Sequence, residues 1–241
     1  MSAFVLAHGS WWGGWSWGRV AARLRRAGHL AYTPSYTGMG DRAHLLGPAI
    51  TIETFVEDLI GVIESEELSE VVLVGHSFGG VPISGVADRI PETIAKLIYL
   101  DAVVLERGTH AFSVYPPEEA EPRIKSAELA TDGLAVPVPA PPLPDVWGLG
   151  EPGDPDYEWV LRRMSPHPLR SYTAALTLRN SVGNDLPRLY VWCKHPSHPA
   201  LEPSRQLVRS WPGWDWTELP VPHGSIITHP DEVTDLLLKL A

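Results

Sequence analysis

Ser77 is the residue with the clearest chemical prospects. It stands at the centre of G-x-S-x-G, Gly75-His76-Ser77-Phe78-Gly79, directly after the apolar run Val71-Val72-Leu73-Val74. An apolar strand that runs into this motif and then into a helix is the setting of a nucleophile elbow, where a tight, strained turn lifts the serine hydroxyl clear of the backbone. A bare G-x-S-x-G also fits a glycine-rich turn with a capping serine, but the flanking strand and helix favour the elbow. A serine hydroxyl is a weak nucleophile on its own, so the chemistry demands an adjacent base and a third group to orient that base. It also demands backbone N–H donors aimed at the oxyanion of a tetrahedral intermediate. Phe78, the residue after the serine, supplies one.

The elements that must position these groups follow from the hydrophobic pattern. Short apolar runs bounded by turn residues alternate with stretches of helical period, the signature of a parallel sheet built from strand-helix-strand units. Strands are expected over residues 3–7, 29–33, 71–75, 96–101, 188–192 and 215–219, with helices over 15–27, 52–64, 80–90, 202–210 and 231–240. Thr51 and Pro230 supply helix-entry chemistry, and Pro82 falls in a first turn, where a missing N–H costs little. The fold class is therefore α/β: one domain over 1–241, with a six-stranded, mostly parallel sheet flanked by helices. From about 103 to 186 the alternation fails, and seven prolines fall from Pro137 to Pro155. So long an irregular stretch in a compact domain points to a cap or lid, with short helices over 118–130, 157–164 and 169–178.

Ten histidines compete to be the base. His223 has the best context, just past the last expected strand and before the final helix. That is the carboxyl edge of the sheet, shared with Ser77, where open α/β sheets hold their sites. His76 is adjacent on the sharp turn and points away, shaping the elbow, while His229 reads as a helix start. The loop after the first strand, Ala7-His8-Gly9-Ser10-Trp11-Trp12-Gly13-Gly14, offers Ser10 as the second oxyanion donor, with His8 bracing the loop.

These segments, together with the run from Phe4 to Trp17, Leu24-Arg-Arg-Ala-Gly-His29 and His223-Gly224, resemble the plant methylesterase and hydroxynitrile-lyase group of α/β hydrolases and its bacterial esterase relatives. The resemblance covers about the first 105 residues well, about the last 55 moderately, and the cap poorly. It implies the α/β-hydrolase fold, small ester substrates, no metal or other cofactor, and Ser10 and Phe78 as oxyanion donors. Lyases of the group carry a lysine directly after the base histidine. Gly224 stands here, which argues for ester hydrolysis.

A second departure concerns the acid. The group takes it from the loop after the next-to-last strand, yet no Asp or Glu occurs from Leu186 to Leu201. Asp101, closing the fourth strand, is the preferred replacement, since α/β hydrolases resembling the haloalkane dehalogenases take their acid from that strand end. Glu202 is the alternative, although a carboxylate that opens a helix already favours the dipole. A chain with no acid at all is the third possibility.

Cys193, His195 and His198 form a C-x-H-x-x-H cluster with no fourth ligand, so a surface loop is the better reading than a metal site. Gly38-Met-Gly40-Asp-Arg-Ala43 imitates a dinucleotide fingerprint without the helix or acid it needs, and reads as a loop on the site's rim. Trp11, Trp12, Trp15 and Trp17 lie on or beside the Ser10 loop, and the cap adds Phe112, Tyr115, Trp147, Tyr157 and Trp159. Several should line an apolar pocket, with Trp11, Trp12 and Trp147 as the substrate-binding candidates.

A net charge of -10 leaves no footprint for nucleic acid. The lone Cys193 forms no internal disulfide, no signal peptide or membrane-spanning run is apparent, and a cytoplasmic location is expected. The sequence therefore points to a cofactor-free serine hydrolase acting through Ser77, His223 and Asp101 on a small apolar or aromatic ester, with a homodimer as the one assembly considered. Acyl transfer, lactone opening or cyclisation by the same residues is one alternative. A ligand-binding protein with a decayed triad is another.

Overall fold

The computed structural model describes residues 1–141 and 143–240. In chain order, β1 (Ala3–Ala7) leads through a 3-10 turn, Gly14–Trp17, into α1 (Gly18–Arg26) and β2 (Leu30–Tyr32). Next come α2 (Ile52–Ser65), β3 (Val71–His76), α3 (Gly80–Arg89) and β4 (Ile94–Leu100). The chain then leaves the sheet for α4 (Pro117–Thr131), β5 (Ala135–Val136), α5 (Pro155–Leu161), β6 (His167–Pro168) and α6 (Leu169–Thr173). It returns as β7 (Arg188–Cys193), α7 (Glu202–Ser210), β8 (Asp215–Leu219), α8 (Ser225–Thr228) and α9 (Pro230–Leu240).

The six expected strands form one parallel sheet in the order β2-β1-β3-β4-β7-β8. Its central strands β1 and β3 are buried along their whole length, as a parallel sheet covered on both faces requires. On α2 the residues Ile52, Phe55, Val56, Leu59, Ile60 and Ile63 are buried, a stripe at helical spacing. Full burial of each such side chain is worth about 1.5–3 kcal/mol. Thr54 Oγ1 accepts the Thr51 N–H at 3.2 Å and fixes the start of α2.

Two expectations need correction. The helix expected from residue 15 begins at Gly18, because the tryptophan-rich segment before it winds as a 3-10 turn whose Ser16 hydroxyl donates to the Gly13 carbonyl at 2.8 Å. The helix expected over 169–178 stops at Thr173. The residues beyond it serve other partners: Leu176 N–H donates to the Thr109 carbonyl at 2.9 Å, and Arg179 N–H to Asp88 Oδ2 at 2.9 Å. His229 opens the last helix as expected, its carbonyl accepting the Val233 N–H at 3.2 Å, and it also closes α8, its N–H donating to the Ser225 carbonyl at 2.8 Å. The antiparallel pair β5–β6 and the short α8 were not anticipated.

The segment 103–186 begins beside Ser77, whose carbonyl accepts the Val103 N–H at 2.8 Å. It is tied to the sheet layer at α1, where Arg19 reaches Asp156 with NH1 at 3.0 Å and NH2 at 2.6 Å. Among the described residues no helix is long and apolar enough to cross a membrane.

Candidate active site

β3 ends at His76, and the next residue, Ser77, takes a left-handed φ of +57°. A non-glycine residue pays strain for that conformation, and such strain persists only where the surroundings fix it. They do so here by close approach. A Cβ on Gly75 would sit 2.5 Å from the Gly79 carbonyl oxygen, and one on Gly79 would sit 2.6 Å from that of Ala7. Only glycines admit so tight a turn.

After β8 the chain brings His223 to the same edge. Its backbone is held from the 103–186 segment, the N–H of His223 donating to the Val146 carbonyl at 3.2 Å and that of Gly224 to the Trp147 carbonyl at 2.9 Å. His223 Nε2 lies 3.0 Å from Ser77 Oγ, and its Nδ1 lies 2.7 Å from Asp101 Oδ2. A carboxylate only accepts, so Nδ1 carries the proton and Nε2 is free to accept one from Ser77. A Cβ on Gly224 would stand 2.3 Å from the Trp147 carbonyl oxygen, so the lysine of the lyases has no room here.

Asp101 follows β4 directly, with φ +41°, full burial and its own N–H on the Val191 carbonyl at 2.7 Å. Burial pushes its carboxyl up to about 6, opposed chiefly by the Arg205 guanidinium. Glu202 is elsewhere. It opens α7, is substantially exposed, and binds Arg205 Nε at 2.8 Å.

Burial, with Arg205 adding to it, holds His223 below its ordinary range, which keeps it neutral at rest. His76 donates from Nε2 to the His223 carbonyl at 2.8 Å and stacks on Trp12, with ring centroids 5.5 Å apart. It shapes the elbow, as expected. His8 donates from Nδ1 to the Gly9 carbonyl at 2.8 Å and accepts the Tyr36 N–H at Nε2 at 3.2 Å, so it braces its loop in neutral form.

The loop 8–14 passes directly over the serine. A Cβ on Gly9 would lie 2.8 Å from Ser77 Cβ, so the backbone from Gly9 to Ser10 runs beside the hydroxyl. Ser10 is buried, with its hydroxyl bound to Tyr172 of α6, and Phe78 is fully buried behind the elbow.

Ser77 and His223 open into a cavity of about 700 Å³. Trp11, Trp12 and Trp147 all line it, with Trp147 6.1 Å from Trp11 and 5.9 Å from Trp12 between ring centroids. Tyr115 joins them, but Trp15 and Trp17 of the 3-10 turn and Phe112, Tyr157 and Trp159 of the 103–186 segment do not. Phe112 stacks on Tyr172, Tyr157 is buried with its oxygen on the Leu143 N–H, and Trp159 packs edge-on against Trp15.

The loop 193–201 is no plain surface loop. Cys193 is fully buried with Sγ 3.7 Å from Ser225 Oγ, and the ring of His198 stands edge-on to His223 at 4.8 Å in the cavity wall, so of the three cluster residues His195 alone is exposed. Among the described residues no group of three or more His, Cys, Asp or Glu side chains is arranged to hold a metal ion. The Gly38–Ala43 stretch is not on the cavity rim either. It forms a brace, with Gly40 N–H donating to Ser165 Oγ at 2.9 Å and its Cα packed on the Gly13 backbone.

Sequence reasoning missed Tyr172 and Arg205, and read His198 only as part of a surface loop. Arg205 left a trace: it sits between Ser204 and Val208 on the buried face of α7, an unusual place for a charge.

Residues 4–236 match the family model described as the alpha/beta hydrolase family. The chain belongs to that family. Among its relatives is the carbendazim hydrolyzing esterase of Nocardioides sp. (strain SG-4G), 38% identical over 250 residues that span 100% of both chains. Methylesterase 9 of Arabidopsis thaliana is 25% identical over 252 residues, covering 100% of this chain and 98% of its own. Among solved structures, an extracellular alpha/beta-hydrolase from a Paenibacillus species, described as sharing structural and functional homology with tobacco salicylic acid binding protein 2, superposes with a TM-score of 0.85. It covers 99% of this chain and 98% of its own at 23% identity, a likeness of fold.

Proposed function

We propose that this alpha/beta hydrolase is a serine esterase that cleaves a small apolar or aromatic carboxylic ester through an acyl-enzyme. Ser77 Oγ attacks the ester carbonyl while His223 Nε2 takes its proton, and Asp101 holds the imidazole and stabilises the imidazolium. The oxyanion is met by the backbone N–H groups of Ser10 and Phe78, each such donor being worth about 3 kcal/mol. His223 returns the proton to the leaving alcohol. Water then repeats the sequence on the acyl-enzyme.

The observation that carries this reading is the unbroken line from Asp101 Oδ2 through His223 to Ser77 Oγ, at 2.7 and 3.0 Å, ending in a mostly apolar cavity. The esterase and methylesterase names of the relatives agree with it. In this reading the 103–186 segment is a cap that excludes water, and Trp11, Trp12 and Trp147 hold the apolar part of the substrate.

The test is hydrolysis of short aryl and methyl esters by the wild type and by Ser77→Ala, together with labelling by a fluorophosphonate probe and mapping of the labelled peptide. Labelling at Ser77 and loss of turnover in the variant are expected. An unlabelled protein, or a variant as active as the wild type, overturns the reading.

A further inference from the structure

Asp101 is fully buried, and a buried carboxylate ionises readily only if a cation or hydrogen-bond donors stand near; a backbone hydrogen bond from Cys193 contributes, but Arg205 is the larger influence. Several titratable groups face it. His223 Nδ1 is on Oδ2 at 2.7 Å, His76 approaches from the β3 side, and His198 approaches from the loop after β7, all three of them neutral imidazoles. The Cys193 thiol and the Tyr190 phenol are buried and protonated, the latter donating to the Ala102 carbonyl at 3.0 Å. Arg205 of α7 is the cation of the group. Its NH1 stands 3.7 Å from Asp101 Oδ1, with the two side chains 2% and 0% exposed.

That separation is too long for a hydrogen bond, and neither atom has another partner. The contact is therefore one of charge. The guanidinium is fixed in place by other anchors: Nε donates to Glu202 at 2.8 Å, NH2 donates to the His198 carbonyl at 3.0 Å, and the group lies 5.5 Å over the Trp192 ring. Burying an arginine is unfavourable unless its charge is used. Glu202 is substantially exposed and does not require Arg205 to be buried.

We propose that Arg205 is a positioning residue for this reaction: its charge keeps Asp101 ionised inside the protein, so that His223 retains its Nδ1 proton and presents Nε2 to Ser77. The loop after β7 carries no carboxylate, and the acid at the end of β4 is served instead by a cation from α7. This rests on the reading of Ser77, His223 and Asp101 as the catalytic set.

The experiment is the pH profile of kcat/KM for one aryl ester, taken on the wild type, Arg205→Gln, Arg205→Lys, Glu202→Gln and Asp101→Asn, with circular dichroism to establish folding. In Arg205→Gln the acid limb moves up by about one pH unit or more, KM changes little, and activity recovers on the alkaline side. Arg205→Lys restores the limb. Glu202→Gln, on the exposed side of the same charge chain, removes an anion that competes for Arg205, and its limb moves to lower pH. A folded Arg205→Gln whose limb superposes on the wild type overturns the proposal. If that variant does not fold, a Glu202→Gln limb identical to the wild type does so. Asp101→Asn addresses the underlying reading separately: full activity in that variant removes Asp101 from the catalytic set, whatever Arg205 does.

Discussion

The phenol of Tyr172, on α6, lies 2.5 Å from the hydroxyl of Ser10, on the loop that runs over Ser77. The same ring packs flat on Phe112 at 4.5 Å and edge-on to Phe78 at 4.9 Å. A second tie from the 103–186 segment joins Ser165 N–H to the Trp11 carbonyl at 2.9 Å. Ser10 and Phe78, the two proposed oxyanion donors, are thus both in contact with the 103–186 segment.

Removing one of those ties should slow the chemistry and spare binding. In Tyr172→Phe the Ser10 hydroxyl loses its partner, a loss of about 1–1.5 kcal/mol. Felt in the transition state, that is about a tenfold fall in kcat with little change in KM. Steady-state kinetics on an aryl ester decide it: an unchanged kcat would show that the loop holds its shape without Tyr172.

The two candidate acids separate cleanly. Asp101→Asn is expected to lower kcat by about four orders of magnitude, through the wrong imidazole tautomer. At neutral pH, Glu202→Gln should leave kcat within about twofold, since a half-exposed ion pair is worth at most about 1 kcal/mol. The reverse pattern in the same assay would move the acid to Glu202.

Trp147 touches both Trp11 and Trp12, so its truncation opens the cavity wall. Trp147→Ala should lower kcat/KM for bulky aryl esters about tenfold relative to a methyl ester of a small acid, the scale of a lost aromatic contact. Trp12→Ala should act in the same direction. Identical substrate profiles before and after substitution would count against a pocket role.

Stability should fall in mild acid. His8, His76, His167 and His223 are buried, and burial holds each below its ordinary range, His8 at about 4 and His76 at about 3. Below pH about 6.5 the unfolded chain takes up protons that these groups refuse, so stability present above that pH is lost as pH falls, at about 1.4 kcal/mol per histidine per pH unit. Asp101 acts oppositely, because its raised folded value adds stability as pH drops through about 6. One group against four leaves a net loss. Urea unfolding midpoints at pH 7.5 and pH 5 test this, the lower one being expected at pH 5, and equal midpoints would refute it.

The sheet was legible because buried parallel strands are continuous apolar runs, and Ser77 and His223 because each sits where such a run ends. The letters favour Asp101 over Glu202 only through its place at a strand end, and what separates them physically is the 2.7 Å approach of His223 Nδ1 to Asp101. Tyr172, His198 and Arg205 reach the site from elements distant in sequence, and apart from the place of Arg205 on the buried face of α7 nothing in their local spacing announces a partner. The aromatic candidates divide for a similar reason: Trp147 and Phe112 have equal claims by composition, and only packing sends one to the cavity and the other behind Tyr172.

Seating the carboxylate at the end of β4 has an outcome for the loop after β7, three of whose residues, His198, Pro199 and Leu201, help wall the cavity. Where a relay and a binding surface share one short stretch of chain, drift in either endangers both. In the proposed reading the carboxylate's duty falls to β4, and Pro199 and Leu201 become natural positions at which to retune which molecules enter while Asp101 and His223 stay as they are.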